Sequence, residues 1–300
     1  MKPLTPRFYL QVLLCAALWG SAFPVIKLSY EHLALEGFGE KLVFAGVRFI
    51  IAGSLVALFC RRSVFASFRK APKGLLLVVC LGQTFFQYVF FYYGLSVSSG
   101  ALGAILVGSG SLWWILLAPF FSGSTFPNWK QWLTFGCCLV GISVAVYAPG
   151  VGSGNVILGS FAFLLATFSG AVGAIGMKKI APEHGSRAAT SLSLFIGGIL
   201  LLIAGLHQWN EYWNDFGWIL LGVTLYLSCL SAVAFTVWNS LIERYSVNAL
   251  STFRFLIPLC GVLESVLFLK EETLGVGIVV GGGTVIAALF VMSRLERGES

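Results

Sequence analysis

Gly74–Leu95 reads GLLLVVCLGQTFFQYVFFYYGL, an unbroken run without one charged side chain. As an α-helix rising 1.5 Å per residue, it is long enough to cross the ~30 Å hydrocarbon core of a bilayer. It lacks the alternating pattern of a barrel strand, and lipid offers no partner to open backbone groups, so a helix is the only spanning form available. Working outward with the same criterion of about twenty apolar residues gives ten runs, at about 8–28, 42–60, 74–95, 98–121, 131–148, 156–177, 188–206, 217–241, 247–269 and 274–293. The expected fold class is an all-α integral membrane protein of ten transmembrane helices.

Composition supports this. The chain is 58% hydrophobic and 10% charged, with a mean hydropathy of +0.90, whereas a soluble domain holds about a quarter of its residues as charges. Its 300 residues leave no long stretch for a soluble catalytic domain. The net charge of +7 forms no aromatic-interleaved basic patch, so no nucleic-acid partner is expected.

Orientation accounts for the excess of bases instead. With the N-terminus inside, 14 of the 19 Lys and Arg residues fall in inside segments, including Arg61, Arg62, Arg69, Lys70 and Lys73. Only Lys41 and Lys270 fall outside, and Lys27, Arg48 and Arg254 lie within or at the ends of spans. The positive-inside rule then puts both termini in the cytoplasm, as a multi-pass protein of a bacterial-type cell inner membrane. The opening Lys2 and Arg7 followed by apolar residues mimic a signal peptide. However, the run continues to Lys27 without an A-x-A site and is expected to remain as the first span. The seven cysteines lie in apolar stretches with no CxxC spacing, as packing residues do.

The third and fourth runs overlay the eighth and ninth with a shift of about 146 to 148 residues. Gly94-Leu95 falls on Ser240-Leu241, Gly100-Ala101-Leu102 on Asn248-Ala249-Leu250, and Thr125 on Thr273, with a weaker echo of Trp19–Phe23 in Phe168–Val172. Five spans per repeat is odd, so the halves at 1–150 and 151–300 enter the membrane in opposite senses. Such an inverted-topology repeat can exchange conformations about a central site.

These residues resemble the drug/metabolite transporter superfamily, specifically its bacterial EamA-type ten-helix members. The resemblance rests on Leu18-Trp19-Gly20-Ser21-Ala22-Phe23 with Lys27, on Arg48-Phe49, and on Pro258, Leu269-Lys270-Glu271-Glu272-Thr273-Leu274 and Gly281-Gly282. It implies two five-helix repeats and export of amino acids or related metabolites. The chain departs from the pattern where such families carry a proline in the fourth span and a glutamate after it: Gly110 and Gly123-Ser124 stand there.

A charge in the bilayer core costs about 2.5–3.5 kcal/mol on insertion scales, which singles out Arg48, Arg254 and Glu264. Arg48 and Glu264 are expected at similar depth, either as a structural ion pair or with Glu264 as a proton-coupling group. Arg254 is placed ten positions before Glu264 on the same helix, about 15 Å away. It either meets a substrate carboxylate or, as the plainer expectation, snorkels to the cytoplasmic interface. Gln83 and Gln87 share a helical face continued by Phe91 and Gly94, beside a stripe of Tyr88 and Tyr92. The eighth span sets Trp238 and Asn239 opposite Tyr92 and Tyr93, and polar amides in a membrane line cavities or bond between helices. Trp19 lies too deep for an interfacial belt, and Trp113 is one turn from Ser109. Substrate-binding candidates are therefore Trp19, Arg48, Gln83, Gln87, Tyr88, Tyr92, Trp113, Trp238, Asn239 and Arg254. Pro24 and Pro258 are expected to kink their helices, the ninth span being the moving part.

His32, His184 and His207 sit at loops or span ends without HExxH or clustered carboxylates, so no metal, cofactor or catalytic residue is expected. The leading function is a secondary transporter, not an enzyme, that moves a small metabolite such as an amino acid by alternating access. The competing readings are a membrane-embedded enzyme acting on lipid-linked substrates and a regulatory membrane subunit.

Overall fold

Lipid cannot hydrogen-bond a peptide group, so apolar stretches of this chain satisfy their backbones internally as helices. The computed structural model describes residues 5–32, 35–60, 63–122, 126, 128–147, 155–214, 217–245, 250, 253–254, 256–268 and 275–298, and among these there is no strand. The motif Leu269–Leu274, the Gly123-Ser124 departure, and Arg61, Arg62, Thr125, Asn248 and Ala249 lie outside the described residues.

The first half runs α1 (Pro6–His32), α2 (Phe38–Leu58), the short α3 (Val64–Lys70), α4 (Lys73–Val97), α5 (Gly100–Gly108), α6 (Gly110–Ser122) and α7 (Trp129–Tyr147). The second runs α8 (Val156–His184), α9 (Ser186–Gly205), the short α10 (Trp209–Asn214), α11 (Trp218–Arg244), α12 (Leu256–Phe268) and α13 (Val276–Gly298). By length and composition α1, α2, α4, α8, α9 and α11 can each cross a membrane, and Leu102–Leu117 and Val279–Ala288 are shorter apolar segments. The protein is thus a multi-pass, all-helical membrane protein. The short helices α3 and α10 fall between the expected runs.

Helix starts carry local caps. Asn128 and Gln131 exchange reciprocal bonds of 3.0 and 2.7 Å at the head of α7, Ser99 accepts from Leu102 N–H at 3.2 Å, and Glu40 accepts from Gly37 N–H at 2.9 Å. Gly185, with φ of 83°, reverses the chain between α8 and α9.

The expected fourth and ninth spans are not uninterrupted helices. α5 ends at Gly108 and α6 begins at Gly110, with consecutive short turns through Ser109: its N–H donates to Leu106 O at 3.0 Å and its carbonyl accepts from Leu112 N–H at 2.8 Å. The same two turns recur through Phe253, which donates to Leu250 O at 3.0 Å and accepts from Leu256 N–H at 3.2 Å. Arg254 therefore sits in a turn before α12, not on one helix with Glu264. Pro258 occupies the first turn of α12, where a missing N–H costs nothing, so it starts this helix instead of kinking it. Pro24 lies inside the continuous α1.

In lipid, helices associate by close packing of small residues, not by the hydrophobic effect. α2 lies against α9, where a Cβ on Gly46 would come 2.9 Å from Gly198 O, and Ser191 Oγ donates to Gly53 O at 2.9 Å. α7 lies against α13 through Gly141, whose Cβ would come 2.9 Å from Gly281 O. α4 widens into a π-helical turn at Leu81–Phe86, and a Cβ on Gly82 there would come 2.7 Å from Gly173 N on α8. Gly82→Ala is expected to destabilise the protein by about 1–3 kcal/mol through this backbone clash. Gly74→Ala, with nothing within 4 Å of its Cβ, serves as the matched control. Melting temperatures of the purified proteins in detergent should fall for the first and hold for the second.

Candidate functional site

A cavity of about 820 Å³ of atom-free space, its mouth included, lies between the two halves of the chain. α1 gives it Trp19, Ala22, Phe23 and Ile26, and α4 gives it Gln83, Gln87, Tyr88 and Phe91. From the second half come Ala166, Thr167, Gly170 and Ala174 of α8 and Phe235 and Trp238 of α11. Arg48, Val107, Arg254 and Ile257 complete the wall.

Arg48, only 1% exposed, is held by neutral groups. Its Nη1 donates to Tyr92 OH at 2.8 Å, and its Nε and Nη2 donate to Ser231 Oγ at 3.1 and 2.8 Å. The guanidinium also lies 4.6 Å over the Phe49 ring and 5.7 Å from that of Tyr88, where ring quadrupoles favour a cation. The expected pair with Glu264 does not form: Arg48 is committed to α4 and α11, while Glu264 Oε2 is buried without a hydrogen-bond partner among the described residues.

Arg254 does not snorkel. Its guanidinium lies 5.8 Å from the Trp114 ring and 5.9 Å from the Trp238 ring, and its buried Nε has no hydrogen-bond partner among the described residues. Gly110 makes the room, since a Cβ there would come 2.6 Å from Arg254 Nη2. The helix break at Ser109 and the turn at Phe253–Arg254 thus meet at the cavity wall.

Of the ten binding candidates, Trp19, Arg48, Gln83, Gln87, Tyr88, Trp238 and Arg254 line the cavity, whereas Tyr92, Asn239 and Trp113 do not. Tyr92 stands behind the wall as a ligand of Arg48. Asn239 exchanges bonds of 3.0 and 3.1 Å with Gln83 and donates to Thr190 Oγ1 at 2.9 Å, which consumes its amide between helices. Trp113 stands behind the wall and donates Nε1 to Oγ1 of the lining Thr167 at 3.2 Å. An uninterrupted span at 98–121 sets the wrong helical phase beyond Ser109, and it is the neighbouring Trp114 that meets Arg254. Thr167 and Phe235 were also missed, although Phe235 lies one turn before Trp238 on α11. Trp19 packs edge-on to both aromatics, at centroid distances of 5.6 and 5.4 Å.

Beyond the cavity, two lysines clamp helix C-termini, whose last carbonyls lack intrahelical partners. Lys27 of α1 donates to the carbonyls of Leu95 and Ser98 at 3.3 and 3.1 Å, at the end of α4. Lys178 of α8 donates to those of Ile242 and Tyr245 at 2.7 and 2.8 Å, at the end of α11. The clamps lie at opposite ends of the cavity: the Tyr245 ring is 4.6 Å from that of Phe8, at the start of α1, while Lys27 is near the end of that helix.

The model of the EamA-like transporter family matches the chain twice, at residues 7–147 and 157–294. This chain belongs to the EamA-like transporter family. It is 25% identical over 291 residues to a probable amino-acid metabolite efflux pump of Escherichia coli K12, covering 93% of this chain and 92% of that one. It is 22% identical to a probable terminal-alkyne amino-acid exporter of Streptantibioticus cattleyicolor, covering 96% and 93%. A solved crystal structure shares the fold with a TM-score of 0.63 at 16% identity, over 95% of this chain and 98% of that one. Family and relatives carry the names of transporters, not of enzymes.

In this EamA-like transporter, Tyr92→Phe is expected to leave Arg48 Nη1 without its acceptor. Stripping one partner from a buried charged donor should cost about 1–3 kcal/mol. Thermal unfolding in detergent measures it, and an unchanged melting temperature would show that Tyr92 does not hold Arg48.

Proposed function

We propose that this protein is a secondary transporter that exports a small metabolite, an amino acid or related compound, across a bacterial cell inner membrane by alternating access. The observation that carries this reading is the duplication around the cavity. Each family-matched half supplies one broken helix at the wall and one lysine clamp, and the two clamps sit at opposite ends. A wall assembled from both halves, with irregular backbone at its middle, is where transporters hold solute. Two equivalent latches at opposite ends are what alternate opening needs, because breaking one while keeping the other exposes the cavity to one side only.

In this reading the ten spans are α1, α2, α4, α5 with α6, α7, α8, α9, α11, the segment ending in α12, and α13. They form two inverted five-helix repeats at 1–150 and 151–300, with both termini cytoplasmic. The pairings agree with that symmetry, since α2 on α9 joins the second span of each repeat and α7 on α13 joins the fifth. Trp19, Arg48, Gln83, Gln87, Tyr88, Trp238 and Arg254 contact solute, with Tyr92 and Asn239 positioning Arg48 and Gln83. Glu264 is the proton-coupling candidate, a buried carboxylate oxygen without a partner on the helix that follows Arg254.

Counterflow in proteoliposomes tests the carrier. Vesicles preloaded with single unlabelled amino acids or derivatives should accumulate the labelled compound saturably, and Arg48→Ala should reduce the initial rate at least tenfold. Failure across a broad panel would remove the reading. Glu264→Gln should flatten the pH dependence of net transport while counterflow persists, and a pH profile like that of the parent would exclude Glu264 from coupling.

A further inference from the structure

Two guanidinium groups line the cavity, and no carboxylate is among its lining residues in the described part of the chain. They are not equivalent. Arg48 donates three bonds to Tyr92 and Ser231 and is built into the wall. Arg254 keeps a buried Nε without a partner among the described residues, between the rings of Trp114 and Trp238. A carboxylate would match this planar fork with charge-assisted bonds, and the apolar remainder of such a solute would lie against Trp19, Phe23, Phe91 and Phe235.

The same wall is poorly suited to an ammonium group. In an α-amino acid held carboxylate-first on Arg254, the ammonium is two bonds from the carboxylate carbon and so only a few ångströms from the guanidinium. Like charges repel strongly in a site of low dielectric, and among the described residues no acidic side chain lines the cavity to offset this. Two of the lining ring faces, the usual neutral host for an ammonium, already carry cations: Arg48 lies 5.7 Å from Tyr88 and Arg254 5.9 Å from Trp238. The Gln83 amide is taken up by Asn239. That leaves Gln87, set against Gly170, as an uncharged amide suited to an acyl, oxo or hydroxyl substituent.

We propose that the cavity selects a monovalent organic anion: a carboxylate on an aromatic or branched apolar body, its α-nitrogen acylated or replaced by oxygen, in preference to the zwitterionic amino acid. This rests on the transport reading for its physiological role, but binding tests it independently. Isothermal titration of the full chain in lipid nanodiscs would compare N-acetyl-L-phenylalanine, phenylpyruvate, L-phenylalanine and L-phenylalaninamide. The two anions should bind at least tenfold more tightly than L-phenylalanine, and the cationic amide should not bind. Arg254→Gln should abolish the preference. Gly110→Ala keeps the charge but drives a methyl against Arg254 Nη2, and should weaken anion binding at least fivefold, with melting temperatures reporting that each variant is folded. L-phenylalanine binding as tightly as its acetylated form would overturn the proposal, as would no binding by any of the four. Anions that bind with this preference yet give no counterflow would defeat the carrier reading and leave the anion site standing. Counterflow of amino acids without the preference would do the reverse.

Discussion

A helix that stops within a membrane leaves N–H and C=O groups that lipid cannot satisfy, and the architecture of this chain follows from how it meets that constraint. Where α5 gives way to α6, and where the chain turns into α12, consecutive short-range bonds keep the backbone satisfied through the interruption. At the ends of α4 and α11, lysine ammonium groups take up the last carbonyls, and each also complements the negative end of a helix dipole. All four irregular places border the cavity or its two ends.

The second constraint is the burial of cations. Arg48 lies at 1% exposure without an ion-pair partner among the described residues, stabilised by two hydroxyl groups and two ring faces. A carboxylate partner would have neutralised the wall. Hydroxyls and rings solvate the guanidinium while leaving the positive potential in place, so the cavity retains an electrostatic character that an Arg–Glu pair would erase. Packing reinforces this: Ser231, Tyr92 and Phe49 come from three different helices, so the orientation of Arg48 depends on the bundle being assembled around it.

Much of this was legible in the sequence, and what was not has a common cause. Charge-free runs mark helices because bilayer thickness fixes their length, and the polar residues inside them mark the cavity because lipid disfavours them, which is how Gln83, Gln87, Arg48 and Arg254 were found. The short helices α3 and α10 went unforeseen because neither is long enough to cross a bilayer by itself. Partners across helices were not legible. Ser231 is 183 positions from Arg48 and Asn239 is 156 from Gln83, and nothing local specifies which azimuth faces which. The break at Ser109 was hidden because Gly108-Ser109-Gly110 sits in an apolar run long enough to span without it. With the phase shifted there, Trp113 was named in place of Trp114.

The departure of this chain from its family pattern at Gly110 bears directly on Arg254. The resemblance expects a proline in the fourth span where Gly110 stands. Gly110 lies against the Arg254 guanidinium so closely that even a methyl group would come 2.6 Å from Nη2. A proline ring, bulkier than a methyl and fixed to the backbone, would occupy the space that the guanidinium fills. Arg254 in turn places a positive charge on the cavity wall beside Gly110. Gly110 and Arg254 are therefore sterically coupled across a separation of 144 residues.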